Sequence, residues 1–162
     1  MSEVEIRRAG HADAERVGAL AERAYRQGGW ADERYSKLLL DARSRIEEAT
    51  VFVAVADGVM LGTVTVARPG SRFASLARAG EAEVRMLAVD DAARGRGVGS
   101  LLMDACEGLA RDEGSAAVVL CTEPDMYAAH RLYQRRGYAR QPERDWDWRP
   151  GRPLLQVYRL EL

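Results

Sequence analysis

The chain reads as a mixed α/β fold, a sheet of about seven strands with helices on both faces. Three observations predict it. Short β-rich runs alternate with amphipathic helical patterns from end to end. Two of those runs meet at Asp57-Gly58, a dipeptide suited to a hairpin turn. A buried run near the C-terminus, AAVVLCT, is too short and too rich in branched residues for a helix.

Taken in order, residues 4–9 (VEIRRA) form a first strand. Ala14, Val17, Leu20, Ala21, Ala24 and Tyr25 then recur at helical spacing. The GGW at 28–30 breaks that helix, and a second follows over about 32–48. The hairpin around Asp57-Gly58 comes next, then a polar loop, RPGSRFASLARAG, and an alternating apolar run that ends at Val89. Leu101, Leu102, Ala105, Leu109 and Ala110 line one face of a helix ending near Gly114. AAVVLCT is the next strand, and MYAAHRLYQRRG is an amphipathic helix with Gly137 as its C′ residue. YARQ and LLQVYRLEL supply the last two strands.

The 162 residues suit one domain spanning 1–162, with a substantial core. A formal net charge of −1 gives no footprint of a general nucleic-acid binder. Lys37 is the only lysine, asparagine is absent, and Ile6 and Ile46 are the only isoleucines, a bias that suggests a GC-rich bacterial genome. Cys106 and Cys121 sit in apolar stretches away from any histidine cluster, which reads as two reduced core thiols and no metal site. The first ten residues hold no apolar signal region and no later run is long enough to span a bilayer, so a cytoplasmic protein with no membrane partner is expected.

Chemistry concentrates in VRMLAVDDAARGRGVGSLLM, residues 84–103. Gly95, Gly97 and Gly99 precede a helix whose first backbone N–H groups carry partial positive charge, and Arg94 and Arg96 add to it. That composition makes a phosphate cradle. A dinucleotide fingerprint would need glycine where Ser100 stands, and a Walker A loop would need a lysine. A solvated Arg/Gly turn that holds nothing also fits the spacing.

Arg94, Gly97 and Gly99, in the pattern R-x-x-G-x-G after AEVRMLAV, resemble the acetyl-CoA motif of the GNAT superfamily of N-acetyltransferases. Downstream, Ala129, Tyr133, Gly137 and Tyr138 are similar to that family's A-x-x-x-Y-x-x-x-G-[FY] segment. The resemblance is carried by residues 81–138. It departs at Asp91, often proline, at Ala93, often aromatic, and at Met126, in the place of a frequent asparagine near the pantetheine arm.

The resemblance implies a mostly antiparallel sheet and an acetyl-CoA cosubstrate without a metal. Leu87, Ala88 and Val89 would bind pantetheine and the thioester carbonyl through their backbone, and Gly95 to Ser100, with Val98, would take the pyrophosphate. It implies acetyl transfer to a primary amine of a small molecule or protein, by direct attack through a tetrahedral intermediate. A non-catalytic acyl-CoA-binding domain is the alternative. Tyr133 is the candidate general acid for the departing thiolate, against a packed core aromatic. Glu83 is the candidate base, against a surface strand-start carboxylate paired with a neighbouring arginine; Glu81 and Asp90 are weaker candidates.

The stretch ERDWDWRPG alternates Trp146 and Trp148 with Asp145 and Asp147. If extended, it shows rings and carboxylates on opposite faces. It suits an acceptor wall for a cationic amine, or an edge hairpin packed on the sheet or on the mate of a homodimer. Trp30, with Tyr25 and Tyr35, is expected to form the opposite wall. His11, ahead of the first helix, and His130, on the Tyr133 helix, carry little weight.

Overall fold

The structure, a computed structural model, describes residues 2–147 and 149–162. Its strands are β1 (Glu5–Arg8), β2 (Thr50–Ala56), β3 (Val59–Ala67), β4 (Glu81–Val89), β5 (Ala117–Thr122), β6 (Ala139–Arg140) and β7 (Gln156–Glu161). They form one sheet in the order β1-β2-β3-β4-β5-β7-β6. Every neighbouring pair is antiparallel except β4 and β5. Asp57 and Gly58 both have positive φ, 52° and 74°, the geometry a two-residue hairpin requires.

Helices α1 (Ala14–Gln27), α2 (Glu33–Leu40) and α3 (Ala42–Glu48) cover one face. Helices α4 (Val98–Asp112) and α5 (Tyr127–Arg135) cover the other. Val17, Leu20, Leu39 and Ala42 pack on Val51, Val53 and Ala88 on the first face. Val98, Leu102, Cys106 and Tyr133 pack on Val64, Val84 and Leu120 on the second.

The single helix expected over 32–48 is two. Asp41 ends α2 and caps α3, taking a 3.0 Å hydrogen bond from the Ser44 hydroxyl. The buried Arg45 donates to the carbonyls of Leu38 at 2.7 Å and Leu39 at 2.9 Å. A cation bound to carbonyls at the end of α2 stabilises that end and fixes the break. Burial lowers the pKa of Arg45 to about 10.

The sheet is split in the middle. β4 and β5 pair only from Glu81–Ala117 to Glu83–Val119 and diverge beyond. Within the diverging half, β4 carries a bulge against β3 between Thr63 and Thr65. Met86 there has φ 57°, a conformation a side chain this large rarely adopts. The extra residue sends Met86 and Ala88 to the α1 face and Leu87 and Val89 to the α4 face.

Glu81 anchors the paired half. It is buried, with Arg144 at 2.8 Å and Arg159 at 2.9 Å. Burial would raise its pKa, but those two arginines and the Arg78 N–H outweigh it and hold it at about 2. Asp13 is likewise lowered to about 2, by hydrogen bonds from Arg7 and the Gly10 N–H. Both carboxylates favour folding above their ordinary values of 4.5 and 3.8, and that contribution fades as pH falls towards 2. Glu81→Gln should therefore cost about 3 kcal/mol at pH 7. The gap from wild type should narrow steadily in thermal melts taken from pH 5 to pH 3. A gap independent of pH would show that the Glu81 charge contributes nothing.

Candidate active site

Two connected hollows open where β4 and β5 part. The larger, about 670 Å³, runs from the glycine loop along the end of β4 to the start of α5. It is lined by Arg94, Gly95, Gly97, Val98, Gly99 and Ser100, by Leu87, Ala88 and Val89, and by Arg135. The smaller, about 320 Å³, lies deeper, between the split strands and the α1–α2 turn. Leu87, Met126, Ala129, Tyr25 and Trp30 border both, so they form the neck.

The glycine loop has the geometry of an anion cradle. Gly95 and Gly97 have φ of 81° and 74°, and Gly97 is the residue that opens α4. A Cβ on either would meet nothing within 4 Å, so the space beside the helix N-terminus is open. Backbone amides at such an end favour a phosphate. Gly99 acts differently. A Cβ there would lie 3.3 Å from the Leu132 side chain, so this glycine lets α4 and α5 pack closely.

The flanking side chains divide by position. Arg94 lines the groove and pairs with Asp91 at 2.7 Å. Arg96 does not line it; its guanidinium reaches the Ser2 carbonyl at 3.4 Å. The Ser100 hydroxyl accepts from Arg136 at 2.7 Å. Arg135, a second cation over the groove, went unnoticed in the sequence, where it is one of several helix-face arginines.

Tyr133 and Glu83 line the deeper chamber together. Tyr133 is 5% exposed and packs on Tyr138 and Tyr158 with ring centroids 5.6 and 6.1 Å away. Burial pushes its phenol well above the ordinary value, with Cys106 and Cys121 adding to the effect. Glu83 is 1% exposed, so it is not a surface carboxylate. Its Oε1 accepts from the backbone N–H groups of Ser75, Leu76 and Ala77 at 2.9, 2.7 and 2.9 Å. Its Oε2 lies 3.8 Å from Nε of Arg85. Glu83 thus holds the loop before β4 as well as lining the chamber.

Of the other expected residues, Trp30 lines both hollows, and its Nε1 donates to Asp125 at 2.8 Å, bridging the α1–α2 turn to the β5–α5 loop. Trp146 lines the deeper chamber and bridges to Leu155. The stretch is not a regular strand: a turn at Pro142–Arg144 precedes that isolated bridge. Asp145 is held by Arg140 at 2.8 Å and accepts from the Val157 N–H at 2.9 Å. Asp147 is exposed, accepts from the Arg149 N–H at 3.2 Å, and is not among the chamber-lining residues. Trp148 lies outside the described residues.

Residues the sequence did not single out complete the chamber: Arg85 and Arg72 on one side, Glu123 on the other. Glu123 is ion-paired with the buried Arg149. Cys121 also lines it, its thiol raised to about 11 by burial. His130 shares a 2.7 Å hydrogen bond with Thr122, and burial lowers its pKa. His11 sits 3.3 Å from Glu47 at the surface. Asp90 pairs with Arg23 at 2.7 Å. Among the described residues no group of three or more His, Cys, Asp or Glu could hold a metal ion, and no helix is long and apolar enough to cross a membrane.

No curated protein matches the chain in sequence. Among solved structures, a GNAT-family acetyltransferase from Staphylococcus aureus Mu50 superposes with a TM-score of 0.79 at 13% identity, over 99% of each chain. The PaiA N-acetyltransferase from Thermoplasma acidophilum, in complex with coenzyme A, gives 0.74 at 16% identity over 99% of each chain. YncA of Salmonella typhimurium, a putative acetyltransferase with its cofactor acetyl-CoA, gives 0.71 at 23% identity over 98% of this chain and 94% of that one. These likenesses establish the fold. The model of the acetyltransferase (GNAT) family matches residues 15–138, from α1 through the glycine loop to the Tyr133 helix. With both motif regions inside that match and a cradle opening onto a chamber, the chain belongs to the GNAT acetyltransferase family.

Proposed function

We propose that the protein is an N-acetyltransferase that moves the acetyl group of acetyl-CoA to a primary amine by direct attack through a tetrahedral intermediate. The observation that carries this reading is the neck: a groove headed by an anion cradle joins a chamber holding a phenol and a carboxylate. The complexes of PaiA with coenzyme A and of YncA with acetyl-CoA support the choice of cosubstrate.

The residues present fit that cosubstrate. The open space beside Gly95 and Gly97 would take the pyrophosphate, with Arg94 and Arg135 adding charge. Leu87, Ala88 and Val89 lie on the part of β4 that β5 leaves, where backbone groups can meet the pantetheine arm and the thioester carbonyl. A fixed N–H there needs little reorganisation as negative charge develops on oxygen. Met126 borders the neck with an apolar side chain in place of an amide, so the arm gains packing there rather than a hydrogen bond. Glu83 takes the ammonium proton, directly or through water, and Tyr133 protonates the departing thiolate.

Coenzyme A should raise the melting temperature by mass action, and Gly97→Val should abolish that rise. The valine adds strain of about 1–2 kcal/mol at a positive φ. Gly97→Asn, whose side chain tolerates that conformation, keeps the test sound and should also lose the shift. An undiminished shift in either folded variant would place the phosphate elsewhere.

A further inference from the structure

The chamber's charges are arranged asymmetrically. Among the described residues its carboxylates are Glu83 and Glu123. Glu123 is neutralised by Arg149. Glu83 already accepts three backbone N–H groups on one oxygen. Arg85 stands next to Glu83, two residues along the same strand and on the same face. Its Nη1 donates to the Phe73 carbonyl at 2.7 Å, and its Nε stays 3.8 Å from Glu83, beyond hydrogen-bond length. Of five guanidinium N–H groups, the Phe73 carbonyl takes one and the Tyr35 hydroxyl another, which leaves others facing the chamber. Behind the same wall the buried Arg45 is held by carbonyl oxygens. Arg72, the other arginine lining the chamber, is paired with Glu48, so a plain cationic amine entering here would meet the Arg85 guanidinium beside one compensated carboxylate.

The walls around this pair are aromatic: Tyr25, Trp30, Tyr35 and Trp146. The roof is tied down. Trp30 donates to Asp125, Arg149 reaches the Trp30 carbonyl at 3.4 Å, and Arg152 reaches that of Gly29 at 3.3 Å. A roofed chamber of about 320 Å³ suits a small free molecule better than a protein chain.

Resting on the acetyltransferase reading, we propose that the acceptor is a small amino acid with an aromatic or apolar side chain. Its carboxylate lies on Arg85, its amine beside Glu83, and its side chain against the aromatic walls. Arg85 is then the residue that selects a carboxylate-bearing amine over the same amine without one. The ammonium proton passes to Glu83, the freed amine nitrogen bonds the acetyl carbon to give the tetrahedral intermediate, and its collapse breaks the acetyl–sulfur bond. Tyr133 protonates the thiolate, and the second amine proton replaces the one Tyr133 gave.

The test is a thiol-release assay on matched pairs: phenylalanine with 2-phenylethylamine, tryptophan with tryptamine, and leucine with 3-methylbutylamine. At least one amino acid should be used with kcat/KM ten or more times that of its decarboxylated partner. Arg85→Gln should bring that ratio close to one through acceptor KM, leaving KM for acetyl-CoA unchanged, and Arg85→Lys should keep part of the preference. Equal or better use of the decarboxylated amines overturns the proposal. So does failure of every amino acid in a protein whose melting temperature still responds to coenzyme A. Absence of that thermal response overturns the acetyltransferase reading instead.

Discussion

Tyr133→Phe is expected to lower kcat by roughly 10²- to 10⁴-fold, the range a positioned general acid supplies. The substitution removes one oxygen from a ring that is 5% exposed and packed between Tyr138 and Tyr158, so the core should remain intact. The coenzyme A thermal shift should persist, because the cradle lies at the far end of the groove. Burial keeps the phenol protonated far into the alkaline range, the state an acid needs. Full turnover in the variant, with acetyl transfer shown to be rate-limiting, would reduce Tyr133 to a packing residue.

Glu83→Gln should lower kcat/KM at neutral pH by about 10²- to 10⁴-fold. The loss should shrink as pH rises, because more of the free amine is then neutral and needs no base. The glutamine oxygen can still accept from the N–H groups of residues 75–77, so the loop before β4 keeps its anchor. A loss of equal size at every pH would show that Glu83 only positions that loop.

Much of the fold was legible along the chain. Seven strands, the Asp57-Gly58 turn, the glycine-led α4 and the Gly137 end of α5 follow from periodicity and from residues that tolerate positive φ. The α2–α3 break was not. It depends on Arg45 turning back to carbonyls of the preceding helix, and an arginine reads as a surface residue until its burial is known. The position of the bulge at Met86 was also hidden, because a bulge with no glycine leaves no mark in composition.

The site divides in the same way. Arg94, Gly95, Gly97 and the strand before them form one local strand–loop–helix unit, so the sequence by itself determined the glycine-led helix start and carried the family resemblance. Glu83 and Tyr133 could be named but not interpreted from the chain, since what each touches comes from segments far away in it. Tertiary structure alone decided that Glu83 is buried against the loop at 75–77 and that Arg85 shares its face. It also decided that Asp145 and Asp147 turn to Arg140 and to the Arg149 N–H, while Trp146 faces the chamber. The physical reason is range. Backbone conformation and helix-end charge act within a few residues, whereas burial and charge compensation are set by whichever distant segments the fold brings together.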